Sequence, residues 1–110
     1  IIVTVDYNGQ QIDGSTKDVL DMGNLKLKLE SFNWKVLEIE NGNSLDDVYK
    51  TLNEAINNSM KGKPVVILMK TVMGNGVDFM MHSHKWHGIA PNDEQLKEAL
   101  NQNPETLGDY

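Results

Sequence analysis

Val65-Val66-Ile67-Leu68-Met69 is a nearly continuous apolar run in a chain of 110 residues. Such a run, without polar alternation, is typical of a parallel strand that is buried on both faces. The turn-forming sequence Lys61-Gly62-Lys63-Pro64 precedes it, and a long loop without clear periodicity follows, from Val72 to about Ala90. We therefore predict that residues 65–69 form the centre of a parallel sheet.

Two more strands are expected upstream of this run. Ile1 to Asp6 is rich in β-branched residues, and Trp34 to Ile39 alternates apolar and polar residues. A loop from Tyr7 to about Thr16 and a helical stretch to Phe32 lie between them, and Gly23-Asn24 predicts a break in that stretch. The sequence thus predicts a strand, an interrupted helix and a second strand.

Two helices with recognisable N-caps complete the pattern. Ser44 with Asp47 resembles a capping box before a helix that ends near Met60. One apolar stripe of this helix is expected to face inward: Leu45, Val48, Leu52, Ala55 and Ile56. Pro91-Asn92 with Gln95 predicts a last helix from Asp93 to about Asn101, with three residues facing inward: Leu96, Ala99 and Leu100.

The alternation of strands and helices predicts an α/β fold of three layers, with helices on both faces of a parallel sheet. Ligands bind such sheets at the carboxyl ends of the strands. We expect one incomplete domain over residues 1–110, of which 102–110 form a solvated tail. The chain starts in a β-branched strand without methionine, so we expect that residues upstream are missing.

Composition excludes several classes of function. The formal net charge is −6, with 10 Lys and Arg against 16 Asp and Glu, which argues against nucleic acid as a partner. Without cysteine there are no disulfides and no thiolate chemistry, as is usual in the cytoplasm. No apolar run approaches the roughly 20 residues that a membrane-spanning helix needs. We expect a cytoplasmic protein without membrane contact.

The loop after the first strand carries a candidate metal ligand. Mg²⁺ prefers oxygen ligands, and the side-chain amide of Asn8 follows a strand end, where ligands bind. Asn8-Gly9 and Asp13-Gly14 are also common turn dipeptides, so a purely structural role for Asn8 remains the alternative.

The chain's three histidines lie in the long loop, at His82, His84 and His87. A zinc hydrolase built on them is one alternative, although no acidic or thiolate ligand has matching spacing. An imidazole near a diphosphate is the better interpretation, because it can donate a hydrogen bond and shuttle a proton near neutral pH. Met73, just after a strand end, is the methionine placed to touch a ligand.

Three segments together resemble the transketolase family. They are Val5-Asp6-Tyr7-Asn8-Gly9-Gln10-Gln11-Ile12-Asp13-Gly14, Lys70-Thr71-Val72-Met73-Gly74-Asn75-Gly76 and Trp86-His87-Gly88-Ile89-Ala90-Pro91. The resemblance spans Ile1 to about Leu100 and is to the later part of the thiamine-diphosphate-binding domain, or of the N-terminal subunit of a split enzyme. It implies a transferase that moves a two-carbon ketol unit between ketose and aldose phosphates.

The resemblance also implies roles for particular residues. Asn8 would bind Mg²⁺ (or Ca²⁺) through its side chain, and Gln10 through its backbone carbonyl. Ile12 would pack near the thiazolium ring and Met73 against the cofactor. His87 would reach the diphosphate near the reacting centre and act as a catalytic residue.

Other parts of the family pattern are absent from the 110 residues. The Gly-Asp-Gly motif that supplies an anionic metal ligand would lie about thirty residues before Asn8, so we expect the chain alone to be inactive. The resemblance implies a homodimer or a heterotetramer with a C-terminal transketolase half. A deoxyxylulose-phosphate-synthase-like enzyme is an alternative, and so is a non-catalytic assembly module that docks a partner along the open strand at Ile1 to Val5.

Overall fold

The computed structural model describes residues 1–104 and contains five strands and four α-helices. The strands are β1 (Ile2–Asp6), β2 (Gln10–Gln11), β3 (Gly14–Ser15), β4 (Lys35–Ile39) and β5 (Val65–Met69). The helices are α1 (Thr16–Val19), α2 (Leu25–Ser31), α3 (Leu45–Asn58) and α4 (Asp93–Gln102), with a 3₁₀ helix at His84–His87. The predicted break at Gly23-Asn24 is confirmed, because it separates α1 from α2.

The three longer strands form a parallel sheet in the order β1-β5-β4. Ile2 pairs with Val65 and Asp6 with Met69, while Lys35 pairs with Val65 on the other side of β5. The apolar run 65–69 is therefore the central strand, as predicted. All three strands point the same way, so their carboxyl ends meet at one edge of the sheet.

Helices cover both faces of this sheet, which confirms the predicted three layers. On one face α3 packs through Val48 and Ala55 against a core of Leu37, Ile39, Val65 and Ile67. On the other face α2 packs through Leu25 and Leu29 against a core of Val36, Val66 and Leu68. Val65, Val66 and Ile67 are at most 1% exposed, as expected for a strand that is buried on both faces.

The inward faces predicted for α3 and α4 are partly wrong. On α3, Leu45 and Ile56 are 86% and 58% exposed, because the contact with the sheet runs along Val48 and Ala55 only. On α4, Leu96 and Leu100 are 46% and 62% exposed. Among residues 1–104, these side chains therefore add little to the core.

The N-caps of α3 and α4 use the predicted residues. Ser44 accepts a hydrogen bond from the Asp47 N–H, while Asn92 and Gln95 form a reciprocal capping box. Helix α4 runs through Gln102, one residue into the predicted tail, and residues 105–110 of that tail lie outside the described residues. None of the described helices has the length and apolar character needed to cross a membrane.

Candidate functional site

The carboxyl ends of β1 and β5 bring two distant segments together. The N–H of Tyr7 donates to the carbonyl of Met69 at 2.8 Å and so extends the strand pairing by one residue. Just beyond this point the Thr71 hydroxyl donates a hydrogen bond to one carboxylate oxygen of Asp6. The two loops predicted to carry the site therefore start side by side.

The start of the second loop is also held from β4. The Gly42 N–H donates to the Lys70 carbonyl at 2.7 Å, and the Asn43 side-chain oxygen accepts from the Val72 N–H at 2.8 Å. A Cβ at Gly42 would lie 2.8 Å from Cγ2 of Thr71, so only glycine permits this approach. The backbone around Thr71 is thus fixed by both neighbouring strands.

The Asn8 side chain lies between Asp6 and the loop backbone. Its Nδ2 donates to the second carboxylate oxygen of Asp6 at 3.3 Å, and its Oδ1 accepts from the Gln10 N–H at 2.8 Å. The latter contact is an Asx turn, in which the side chain bonds the backbone two residues on. Gly9 supplies the required positive φ of 72°. The turn role proposed for Asn8 is present in this geometry.

A short hairpin, not predicted from the sequence, follows Asn8. β2 and β3 pair antiparallel, with Gln10 opposite Ser15. The Thr16 N–H donates to the Gly9 carbonyl at 2.9 Å and closes the base of this hairpin. The backbone of Gln10 is therefore held in place. Ile12 lies in the turn of the hairpin and is 62% exposed.

The long loop after β5 folds back on itself. Met73 is half-buried at its start, and Val77 is buried. The indole N–H of Trp86 donates to the Phe79 carbonyl at 2.9 Å, and the two rings meet edge-on with centroids 5.3 Å apart. These contacts hold the 3₁₀ helix at the end of the loop. An ordered loop of this length is usually functional.

His87 is the last residue of that 3₁₀ helix, and its side chain is exposed. The helix lies beside both strands of the hairpin that carries Gln10 and Ile12. The structure thus brings the predicted metal-binding segment next to the predicted diphosphate-binding histidine. These segments are more than seventy residues apart in the sequence, and the adjacency follows from the parallel pairing of β1 and β5.

The zinc alternative is not supported by the geometry. Among residues 1–104, no three side chains of His, Cys, Asp or Glu are grouped so that they could hold a metal ion. His82, His84 and His87 therefore do not form the trio that a zinc hydrolase would need. His82 is exposed and has a positive φ of 60°, which places it outside the 3₁₀ helix.

The donors around Asn8 fit part of a site for a hard cation. An amide oxygen has two lone pairs, so Oδ1 of Asn8 can accept from Gln10 and still bind a metal. A backbone carbonyl and a side-chain amide are both ligands that Mg²⁺ and Ca²⁺ accept. Both donors are neutral, so a complete site needs a carboxylate or a phosphate in addition.

Sequence reasoning assigned no role to Asp6 and Thr71, which join the two segments. Their partnership is between side chains 65 residues apart. The available signal was positional: each polar residue stands at or just after the carboxyl end of a parallel strand, where ligands bind. The sequence alone does not say that these two ends belong to neighbouring strands.

Comparison with known proteins assigns the chain to a family. The family model described as "Transketolase, thiamine diphosphate binding domain" matches residues 1–106. One of the two subunits of an apulose-4-phosphate transketolase from Phocaeicola vulgatus is 32% identical over 107 residues, which are 97% of this chain and 37% of that protein. The 6-deoxy-6-sulfo-D-fructose transketolase subunit SqwG from Clostridium sp. is 31% identical, over 91% of this chain and 35% of its own length.

Solved structures show the same fold. The transketolase from Campylobacter jejuni superposes with a TM-score of 0.74 at 31% identity, over 93% of this chain and 15% of that one. A transketolase mutant from Pichia stipitis gives a TM-score of 0.80 at 20% identity, again over 93% and 15%. The chain thus spans little more than a third of the length of the two subunits named above, and less of the two solved structures. It belongs to the transketolase family, within the thiamine-diphosphate-binding domain.

Proposed function

We propose that these residues form part of a transketolase-type enzyme that transfers a two-carbon ketol unit from a ketose phosphate to an aldose phosphate. The observation that carries the proposal is the adjacency of the Asn8–Gln10 hairpin and the His87 helix at the carboxyl edge of the sheet, in a chain of this family. The relatives described above are named transketolases, which favours this activity over a deoxyxylulose-phosphate-synthase-like one.

In this proposal the residues divide the task of holding the cofactor. Asn8 through Oδ1 and Gln10 through its carbonyl bind Mg²⁺ (or Ca²⁺), which in turn holds the diphosphate. Ile12 and Met73 offer apolar contacts to the cofactor rings. His87 donates a hydrogen bond to the diphosphate side of the site and can move a proton there. Thiamine diphosphate, when bound, supplies the carbanion chemistry of the reaction.

The site as proposed draws on residues outside the 110 of this chain. Asn8 and Gln10 provide no negative charge, and Asp6 is already engaged by Thr71 and Asn8. An anionic metal ligand from elsewhere in the enzyme would complete the coordination. We therefore propose that residues 1–110 alone neither bind the cofactor firmly nor catalyse.

A partner chain is part of the proposal. Two relatives are named as subunits, which supports a heteromer with a C-terminal transketolase half, and a homodimer is the other arrangement. Among the described strands, β1 pairs only with β5, so its second edge is open for further strands or a partner. We place the enzyme in the cytoplasm, in keeping with the absence of cysteine.

The test uses the whole natural protein that contains these residues, together with any partner subunit. Binding of thiamine diphosphate is measured by calorimetry with and without Mg²⁺, and turnover is followed with a ketose phosphate donor and an aldose phosphate acceptor. We expect Mg²⁺-dependent binding and ketol transfer. Loss of both in Asn8→Ala is expected, because the amide oxygen is removed.

Asn57→Ala is the matched control, since Asn57 is an exposed asparagine on α3, far from the strand ends. It should bind and turn over like the unaltered protein. A natural protein that binds no thiamine diphosphate in the presence of Mg²⁺ would refute the proposal. Binding without ketol transfer would move it to another thiamine-dependent reaction.

A further inference from the structure

We propose that Asp6 is a positioning residue that determines which end of the Asn8 amide faces the metal, and that Thr71 holds Asp6 in place for this task. The inference rests on the proposed function, because it concerns the same site. Neither residue is proposed to touch the metal or the cofactor. Each acts through Asn8.

The argument begins with the symmetry of an amide. The Oδ1 and Nδ2 ends of asparagine have nearly the same shape but opposite hydrogen-bonding character, and only the oxygen can bind a cation. An ionised carboxylate can only accept, so the end of Asn8 that faces Asp6 has to be Nδ2, as observed at 3.3 Å. The oxygen then turns toward the Gln10 N–H, 2.8 Å away. Both contacts select the same orientation.

Asp6 can do this only if its own carboxylate is fixed. The carboxylate is on the exposed side of the last β1 residue, where a free side chain would rotate. Thr71 supplies the restraint, since its hydroxyl donates to the other carboxylate oxygen. Each oxygen of Asp6 therefore has one partner, and the two partners come from different loops.

Thr71 is itself held on a fixed backbone. Gly42 binds the carbonyl before Thr71, and Asn43 binds the N–H after it. A continuous series of contacts thus passes from the β4 end through Thr71, Asp6 and Asn8 to Gln10. It links all three strand ends to the proposed metal ligands.

A change at Asp6 should therefore alter metal affinity more than stability. In Asp6→Asn the new amide can either donate or accept, so Asn8 can present Nδ2 instead of Oδ1 to the metal. Residues that orient metal ligands typically contribute roughly 10- to 100-fold to metal affinity. We expect a loss of that size in Asp6→Asn. A smaller loss is expected in Thr71→Val, where the carboxylate is freed but retained.

The experiment titrates Mn²⁺ into the whole natural protein with saturating thiamine diphosphate and follows free Mn²⁺ by electron paramagnetic resonance. Asp13→Asn is the control for charge, because it removes one negative charge from the turn of the same hairpin. Within residues 1–104, Asp13 is not among the side chains that form hydrogen bonds. Thr71→Ser is the conservative variant that should rescue the loss in Thr71→Val.

Metal-free melting temperatures are measured alongside, so that a folding defect is recognised. Should Asp6→Asn not fold, the pair Thr71→Val and Thr71→Ser decides, since both keep the carboxylate and differ in the hydroxyl. Equal Mn²⁺ affinities in that pair, or equal affinities in Asp6→Asn and Asp13→Asn, would overturn the inference. Absence of Mn²⁺ binding in the unaltered protein would instead overturn the proposed function.

Discussion

Gly74 lies so close to Met80 that a Cβ on Gly74 would be 2.6 Å from Cβ of Met80 and 2.7 Å from its backbone carbonyl. Gly74 also has a φ of +73°, in the left-handed region. The long loop after β5 therefore folds over a point where no side chain fits. Because Met80 contributes backbone as well as side-chain atoms to this contact, a rotamer change could not relieve a clash.

The substitution Gly74→Ala is expected to destabilise the protein by about 2–4 kcal/mol, from left-handed strain plus overpacking. Denaturation by urea measures this change, and hydrogen exchange of the amides between Gly74 and Met81 should rise locally. Gly62→Ala is the control, because Gly62 has a φ of +83° but no atom within 4 Å of the position that a methyl group would take. It should cost only about 1 kcal/mol. Equal costs would show that the clash with Met80 is unimportant.

The central strand carries most of the buried core. Ile67 is 0% exposed and contacts the cluster on the α3 face, so Ile67→Ala should cost about 2–5 kcal/mol and Ile67→Val about 0.5–1.5 kcal/mol. Chemical denaturation gives both values. Leu45→Ala is the matched control at an 86% exposed position, with an expected change within about 0.5 kcal/mol. A cost at Leu45 as large as that at Ile67 would mean that the exposed side of α3 is covered in the whole protein.

The sequence was sufficient to predict the central strand, because five apolar residues bounded by turn residues admit few other structures. It was not sufficient to say which part of a wide apolar stripe meets the sheet. The stripe on α3 includes Val48 and Ala55, which pack on the sheet, and Leu45, which does not. Their spacing is equally helical, so only the position of the sheet distinguishes them.

The candidate site shows the same division between local and long-range information. Asn8, Gln10 and His87 could be selected because local motifs mark them. The hydrogen bond between Asp6 and Thr71 could not, because it depends on β1 and β5 being neighbours although helices and β4 separate them in the chain. The hairpin at Gln10–Ser15 was missed because its polar residues lack the alternation that predicts a strand.

The capping box of α4 allows a clean test of a local prediction. The Asn92 side chain accepts from the Gln95 N–H at 2.9 Å, and the Gln95 side chain accepts from the Asn92 N–H at 3.0 Å. Asn92→Ala should lower the unfolding free energy by about 1 kcal/mol, while Asn92→Ser should keep most of it. Thermal denaturation compares the two. If serine were no better than alanine, the cap would not contribute.

Lys70 offers a test of electrostatics near the strand ends. Its Nζ contacts Glu40 at 2.7 Å, and the hydrogen bond to Glu40 raises the pKa of Lys70 above its usual 10.5. Since the folded pKa is higher than the unfolded one, the pair's contribution is fully present below pH 10.5 and disappears as the pH rises through the folded pKa. The contribution is small because both side chains are exposed.

The stability difference between the unaltered protein and Lys70→Met should therefore shrink above about pH 10.5 and also in about 1 M salt. Denaturation curves at about pH 8 and about pH 11 measure it. Lys61→Met is the control, since Lys61 is not in either of the ion pairs found among residues 1–104. A difference that persists unchanged at the higher pH would assign the effect of Lys70→Met to packing.

His87 is the residue for which function and structure give different expectations. Its side chain is exposed at the end of the 3₁₀ helix, so His87→Asn should hardly change stability. If it donates to the diphosphate and moves a proton near the reacting centre, kcat/KM should nevertheless fall by about 10²–10⁴-fold. Steady-state kinetics at saturating thiamine diphosphate separate this loss from weaker cofactor binding, which a parallel titration measures.

The control is His82→Asn, which makes the same chemical change five residues earlier in the loop. His82 has a left-handed φ of 60°, a conformation that asparagine tolerates, so the control should fold normally. It is not part of the 3₁₀ helix beside the hairpin, so near-normal kinetics are expected. A comparable loss in both variants would point to the charge of the loop as a whole, because the position beside the hairpin is then irrelevant.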